Sequence, residues 1–342
     1  MSRWKPQVHA ASTVKAIWYD RQGPAQEVLV YGDLPTPVPA AGEVRVRLAF
    51  SAVNPGDTNR RAGRMHAMDF PRIVPHSDGA GMVDAVGEGV TTQWLGTRVW
   101  TCFAQRGRPW GTAAQAVCLP QELVAPLPDV VGFEQGACLG IPCLTAYCSL
   151  GNLQDLAGTH VLVTGGAGAV GHYAVQLAKW AGAFVLTSVS SPEKAEHARA
   201  AGADVVIDYR RQDLATAVLD ATHGAGVDRI IDVDAPSHLA QVLAIAAQHA
   251  TWVTYASGPE PMNFSLAALI RKNICLRGLY LPGLQAPVRR DAQRGVVRWL
   301  SEVPGSQHAI DSIHSLRNTA QAHLAVEARR KRGTVLVACD GL

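Results

Sequence analysis

The apolar positions change their period once along the chain. Through the first third they cluster or alternate in short runs, "VKAIWYD", "EVLVYGD", "GEVRVRLAFSAV", "TRVWTCFA" and "TAAQAVCLP", punctuated by Gly and Pro. Such runs predict short strands. Many of them in succession predict a compact sheet or barrel. From near residue 135 the register differs, and strand-like and helix-like segments alternate. Residues 161–164 form a short apolar strand. Residues 169–181 have helical spacing, with Val170, Ala174, Leu177 and Ala178 on one face, and 184–189 are the next strand. A helix over 193–201, strand "DVVIDY", helix "LATAVLDAT", strand "DRIIDV", helix "HLAQVLAIAAQ" and strand "TWVTYAS" follow. This alternation predicts a parallel sheet with helices on both faces. "NICLRGLYL" reads as a further strand at an edge. "VRRDAQRGVVRWLSEV" and "AQAHLAVEARRKRG" read as helices, and "GTVLVAC" as a last strand.

Length and composition narrow the class. A chain of 342 residues suits about two domains. With 48% hydrophobic and 17% charged residues it reads as a soluble globular protein. The net charge of +3 comes from scattered basic residues, and the densest run, 329–332, reads as a solvated helix end. Nucleic acid is therefore not the expected partner. No apolar stretch approaches the roughly 20 residues of a membrane span. The start, "MSRWKPQVHAAS", lacks the apolar core of a signal peptide. Seven cysteines without a Cys-x-x-Cys pair do not make a disulfide scaffold. Cys138, Cys143 and Cys148, five apart, spread around a helix instead of converging and read as small buried hydrophobes. A cytoplasmic, reducing home is expected.

"VLVTGGAGAVGHYAVQLAK" carries the chemistry. Gly166, Ala167, Gly168, Ala169, Val170 and Gly171 make a G-x-G-x-x-G that follows an apolar strand and opens a helix, which is the context a dinucleotide site requires. Gly166 is expected to permit the tight turn, Gly168 to let backbone approach a pyrophosphate, and Gly171 to let helix pack on strand. The helix start then offers free N–H donors to phosphate. The second strand ends "TSVSSPEK", where an NAD site would show an acid. Ser190, Ser191 and Lys194 are instead small donors and a cation, fit to hold a 2′-phosphate. Tyr209, Arg210 and Arg211 follow the third strand and can add a hydroxyl and charge. Ser191 before Pro192 is also a helix N-cap. The expected cofactor is NADPH.

At these motifs the chain resembles the medium-chain dehydrogenase/reductase superfamily, in its zinc-free quinone oxidoreductase (zeta-crystallin-like) branch. "SAVNPGDTNRRAG", "PHSDGAGMVDAVGEGV", "GIPCLTAY", "GGAGAVGHYAVQLAK", "AGADVVIDYR" and "RGLYLPG" occur in the family's order. The resemblance implies an α/β protein with a GroES-like, β-rich catalytic domain over 1–137 and 285–342. A Rossmann doubly wound parallel-sheet domain is implied over 138–284. Zinc-dependent relatives carry Gly-His-Glu in the turn that here reads His76, Ser77 and Asp78, so His76 lies one place out of register. Their other two ligand positions correspond to Asn54 and Ile141. An amide, a hydroxyl and an isoleucine do not suit Zn²⁺, and no metal is expected. His76 is left as a turn or cleft-wall residue.

Without a Lewis acid, an alkoxide is hard to stabilise. Hydride delivery to an already electrophilic quinone or enone survives that loss, and the protein then mainly positions the two partners. The resemblance implies that Asn54 and Asp57 face the substrate, with a plain Asn-Pro-Gly-Asp turn as the other reading. It implies that Thr145 and Tyr147 lie beside the nicotinamide and its ribose. Tyr255, Leu279 and Tyr280 are expected to close the cofactor cleft. Asn59 and Arg64 stand where many quinone oxidoreductases carry tyrosines, which leaves the acceptor open. The readings are an NADPH:quinone reductase, an alkenal or enone reductase of the same fold, or an NADPH-binding protein with little turnover. A homodimer, or a tetramer of dimers, is expected from the edge strand.

Overall fold

A computed structural model describes residues 12–256, 261–264 and 266–342. The first two alternating runs of the first third form a separate pair, and the later ones build one sheet. Its strands are β3 (Glu43–Val53), β4 (Asp78–Val86), β5 (Arg98–Thr101), β6 (Ala116–Pro120) and β7 (Val124–Pro126), ordered after a separate hairpin pair, β1 (Thr13–Trp18) and β2 (Val30–Pro35). β3 shows why these residues form strands. Val44, Val46 and Leu48 are fully buried on one face. Arg45 and Arg47 point the other way, Arg45 to Asp84 at 2.7 Å and Arg47 to the Gly341 carbonyl. This is the period-two pattern of a half-buried strand.

The middle of the chain builds a second, fully parallel sheet from β8 (His160–Val163), β9 (Phe184–Val189), β10 (Val205–Asp208), β11 (Val227–Asp232), β12 (Ala246–Thr254) and β13 (Cys275–Gly278). Its order is β10-β9-β8-β11-β12-β13, the doubly wound Rossmann order that reverses beside the first strand. Val161, Leu162 and Val163 are all fully buried, as expected of a strand covered on both faces. The chain then returns to the first sheet through the helix Ala286–Glu302. It adds β14 (Ile310–Ser315) and β15 (Thr334–Ala338), giving the order β14-β15-β3-β4-β5-β7 with β6 paired to β3. One core cluster runs from Trp100 of the first sheet to Val161 and Val163 of the second and to Trp299 of the returning helix. The two sheets thus share buried apolar surface.

Three segments depart from the expected pattern. "EVLVYGD" is split: Ala25–Val28 is a helical turn and only Val30–Pro35 is strand, because Val28 must turn inward to pack with Tyr19 and Ile73. The strand Ile310–Ser315 pairs in parallel with β15, although "IDSIHS" holds only two strong strand formers. The last helix, Thr319–Glu327, is shorter than its charge run suggests. Residues 328–333 leave it as a loop, with Arg329 and Gly333 at positive φ (55° and 90°).

Candidate active site

The glycine turn sits at the C-terminal end of β8, where the strand order reverses. The left-handed residue of the turn is Gly165, at φ 68°, so the sharp bend belongs there and not to Gly166. Gly166 is needed for a different reason: a Cβ on it would overlap the Thr187 hydroxyl of β9. A Cβ on Gly171 would overlap the Gly165 carbonyl, which is the expected tight helix-to-turn packing. Gly168 is exposed, and a Cβ there would meet only the Gly165 carbonyl, at 3.3 Å. The protein leaves that side of Gly168 open. Ala169 and Val170, half-buried, begin the helix Ala169–Trp180, and Ala167 is buried beneath it.

At the end of β9, Lys194 Nζ donates to Ser190 Oγ at 3.0 Å, and Ser191 Oγ caps the helix Pro192–Ala200 by accepting from the Lys194 N–H at 3.3 Å. Pairing of Val189 with Asp208 sets Tyr209, about half exposed, beside Ser190. The Asp208 carboxylate is turned onto its own loop, accepting from the Arg210 N–H at 3.1 Å. A cavity of about 420 Å³ opens here, lined by Tyr209, Gln212, Ser237, His238 and Gln241. Asp232, fully buried at the end of β11, stands deeper. It accepts from Thr164 Oγ1 (2.8 Å), His238 Nδ1 (2.7 Å), the Asp234 N–H (3.1 Å) and Trp252 Nε1 (3.0 Å). Burial pushes its pKa up, but His238 and these donors outweigh it and hold the carboxylate below its usual range. The one local signal for this acid is its place at the end of the strand in "RIIDV".

Tyr255 follows β12, and its N–H donates to the Asp232 carbonyl at 3.4 Å. Burial raises its phenol above the usual range. Leu279 is buried, its N–H donating to the Thr254 carbonyl at 2.8 Å, while Tyr280 is mostly exposed. These residues line up along the ends of β12 and β13.

The other half of the site lies where the two sheets meet. Asn54 Nδ2 donates to Asp78 Oδ2 at 2.7 Å, and the Ile141 N–H donates to the same oxygen at 2.8 Å. The Asn54 N–H donates to Asp57 Oδ2 at 2.8 Å, closing the start of the helix Pro55–Arg61 in the manner of a capping box. Ile141 belongs to a π-type turn over Leu139–Cys143, a rare geometry that recurs at functional sites. Gly140 in that turn has no Cβ to collide with Asp78 Oδ1. Burial pushes Asp57 up to about 7 and Asp78 up to about 8, against the pull of their hydrogen bonds. Thr145, one turn on, is buried. Tyr147 is not beside it. The tyrosine points to the opposite side of the helix Leu144–Leu150, its hydroxyl against Gly295 of the helix Ala286–Glu302. Two residues on a helix are some 200° apart, and here the packing role prevails.

His76 is a turn residue, at φ 77°, but it does not line a cleft: it is fully buried. Thr112 Oγ1 donates to the Asp78 carbonyl at 2.7 Å, so its oxygen accepts from Ser51 Oγ, also at 2.7 Å. Ser51 then accepts from His76 Nδ1 at 2.8 Å, and His76 Nε2 accepts from His323 Nε2 at 2.9 Å. Each hydroxyl has one proton to donate, so the network assigns both tautomers. Burial pushes His76 down to about 3 and keeps the ring neutral. Among the described residues no three His, Cys, Asp or Glu side chains converge as a metal set.

With this geometry in place, comparison with known proteins decides the family. Residues 40–129 match the alcohol dehydrogenase GroES-like domain, and residues 169–302 match the zinc-binding dehydrogenase family. A quinone oxidoreductase of Pseudomonas aeruginosa is 32% identical over 91% of this chain and 95% of that protein. The chain belongs to the quinone oxidoreductase branch of the medium-chain dehydrogenase/reductase superfamily. A 2-haloacrylate reductase of Burkholderia sp. is 34% identical over 64% of this chain and 65% of that protein. A mycobacterial protein in complex with NADPH superposes with a TM-score of 0.80 at 28% identity, over 95% of this chain and 99% of that one. This oxidoreductase therefore has a GroES-like domain plus a Rossmann domain that binds a nicotinamide cofactor.

The buried carboxyls give the oxidoreductase a defined pH response. Asp57 and Asp78 have folded-state pKa values raised above their unfolded ones. Their contribution to stability is full below about pH 4 and is lost as pH rises through about 7 and 8. His76, with a depressed pKa, acts oppositely and costs stability as pH falls from 6.5 toward about 3. Thermal midpoints measured by calorimetry should therefore fall between about pH 6.5 and 8, where His76 no longer offsets the carboxyls, and Asp78→Asn should flatten that fall. A wild-type midpoint independent of pH across this window would show that both carboxyls ionise without penalty.

Proposed function

We propose that this chain is a cytoplasmic, NADPH-dependent reductase that delivers hydride to a quinone without a metal. The observation that carries the cofactor half is the end of β9, where Ser190 and Lys194 form a hydroxyl–ammonium pair at 3.0 Å in place of a carboxylate. Such a pair suits a dianionic 2′-phosphate better than a bare ribose diol, which a carboxylate would grip. The open face of Gly168 and the N–H groups of the helix start suit the pyrophosphate. The cavity edged by Tyr209, Ser237 and His238 suits the adenine. When bound, the nicotinamide supplies the hydride. Thr145, Tyr255, Leu279 and Tyr280 orient it and exclude water from one side. Asn54 spends one amide N–H on Asp78, and its second is free to donate to the acceptor's carbonyl oxygen. Asp57 and Asp78 are positioning residues that fix the Asn54 backbone and side chain.

The residues at the three zinc-ligand positions support a metal-free reaction. Asn54 is committed to Asp78, Ser77 offers a hydroxyl, and Ile141 contributes only its backbone N–H. None matches the thiolate, imidazole or carboxylate that Zn²⁺ takes. All seven cysteines are free thiols, in keeping with a reducing compartment. A second reading is reduction of an activated alkene. It is favoured by the likeness to a 2-haloacrylate reductase, whose named substrate is a conjugated alkene. We also propose a homodimer built on β13. That strand is the sheet's edge, and the helix leading to it, Leu266–Lys272, exposes Leu266 (64%) and Ile270 (63%). An unpaired edge beside apolar surface favours a second copy.

Three outcomes follow. In stopped-flow oxidation of NADPH against a panel of quinones, enals and enoyl thioesters, quinones should react fastest, and chelator treatment should leave the rate intact. Fastest turnover of an enal selects the second reading, and no turnover of any acceptor selects a cofactor-binding protein. Lys194→Ala should weaken NADPH about ten- to a hundredfold, the effect of losing a charge-assisted hydrogen bond, while NADH binding barely changes. Equal weakening of both would make Lys194 a structural residue of its helix. Light scattering at micromolar concentration should report a dimer or tetramer, and a monomer rejects the edge-strand pairing.

A further inference from the structure

The first sheet and the hairpin beside it enclose a second cavity, lined by none of the residues assigned above to cofactor or acceptor. The hairpin is hydrogen-bonded to the neighbouring chain along β1. The Ile17 N–H donates to the Ala113 carbonyl at 2.8 Å, and the Gln115 N–H donates to the Lys15 carbonyl at 2.9 Å. β2 pairs with β1 alone. It forms a roof, and Leu34 lines a space of about 500 Å³ beneath it. Three alanines, Ala16, Ala114 and Ala116, line the same space. Protein interiors are otherwise packed to the density of organic crystals, and larger strand formers at these three places would close the gap. The volume lies within the range of small-molecule pockets, roughly 300–1,000 Å³.

One polar feature breaks this apolar lining. Arg108 and Glu43 both line the cavity. Arg108 Nη2 donates to Glu43 Oε1 at 2.8 Å and to the Cys118 carbonyl at 2.7 Å. The other Glu43 oxygen accepts from the Ala40 N–H at 3.1 Å. The guanidinium makes no further hydrogen bond among the described residues, and its Nε is buried without one. Arginine carries five N–H donors, so donor capacity is left over in a half-buried place where leaving it unused is costly. The charge is already matched by Glu43, so what is missing is an acceptor and not a second anion. Trp110, 43% exposed, lines the cavity as well and offers an aromatic face to a flat ring.

We propose that this cavity is a binding site for a flat, neutral, bicyclic or tricyclic apolar molecule bearing one carbonyl oxygen. Its rings pack between the hairpin and the sheet and against Trp110, and its oxygen accepts from Arg108. A carboxylate is disfavoured there, because Glu43 would repel it from the same cation.

The test is isothermal titration of the full chain with 2-acetylnaphthalene, wild type against Leu34→Trp and Trp110→Ala. Leu34→Trp, which fills the space from the roof, should weaken binding at least about tenfold, and Trp110→Ala about two- to tenfold, the worth of an aromatic pair. Circular dichroism should show both variants folded; Trp110→Ala, at a well-exposed position, keeps the site testable should Leu34→Trp fail to fold. With wild type, 2-ethylnaphthalene, alike in shape but without the acceptor, should bind about ten- to a hundredfold more weakly, the effect of losing a hydrogen bond to a charged group. 2-Naphthoate should also bind more weakly than the ketone. Binding unchanged in both variants would put the ketone in the acceptor cleft and overturn the site. Equal binding of 2-ethylnaphthalene, or tighter binding of 2-naphthoate, would overturn the ligand class, and no binding of the ketone by wild type would overturn the proposal outright.

Discussion

The close approach of the glycine turn to its neighbours is the contact on which the cofactor half of the molecule depends. With no Cβ at Gly166 the turn presses onto Thr187 of β9, and with none at Gly171 the helix start presses onto Gly165. Any side chain at these places would lift the helix off the sheet. The N–H groups of its first turn would then face water or apolar wall, not the mouth of the site. The same turn is where Gly333 arrives from the first sheet. One strand-to-helix connection therefore sets the free N–H groups of the helix start, the packing of helix on sheet and a junction between the two domains.

Local pattern carried much of the fold. The change of period near residue 135 marks where antiparallel strands give way to a parallel sheet, and the G-x-G-x-x-G follows a strand and opens a helix as expected. What local pattern does not hold is convergence. Asn54, Asp78 and Ile141 meet at one carboxylate oxygen although they are separated by 24 and 63 positions from Asp78. Only the crossing of β3, β4 and the π-type turn brings them together. Tyr147 shows the opposite limit. Its motif suggested the cofactor, but helix geometry turned it to Gly295. β14 is not legible in the local pattern, because its strand character comes from pairing with β15 and not from its own residues.

The histidine of "PHSDGAG" illustrates how a buried polar network can occupy the surroundings of a position that relatives give to a metal. His76 is held in the first sheet by a hydrogen-bond chain running through Ser51 and Thr112 to the backbone of Asp78. Asp78 in turn positions Asn54. Burying polar groups is tolerable only when they are paired, and this chain of donors supplies most of the pairing. The cost falls on the carboxyls, which burial drives toward their neutral forms.

Asp232 has a consequence for how tightly any dinucleotide can be held. Four donors from Thr164, His238, Asp234 and Trp252 converge on its carboxylate. They tie the ends of β8, β11 and β12 to the helix Ala235–Ile245 with no ligand needed to complete the set. Ordering those strand ends and side chains on binding would otherwise cost about 0.5–1.5 kcal/mol for each immobilised side chain. Because that ordering is already built into the folded chain, little of a bound nucleotide's interaction energy would be diverted to rigidifying those strand ends.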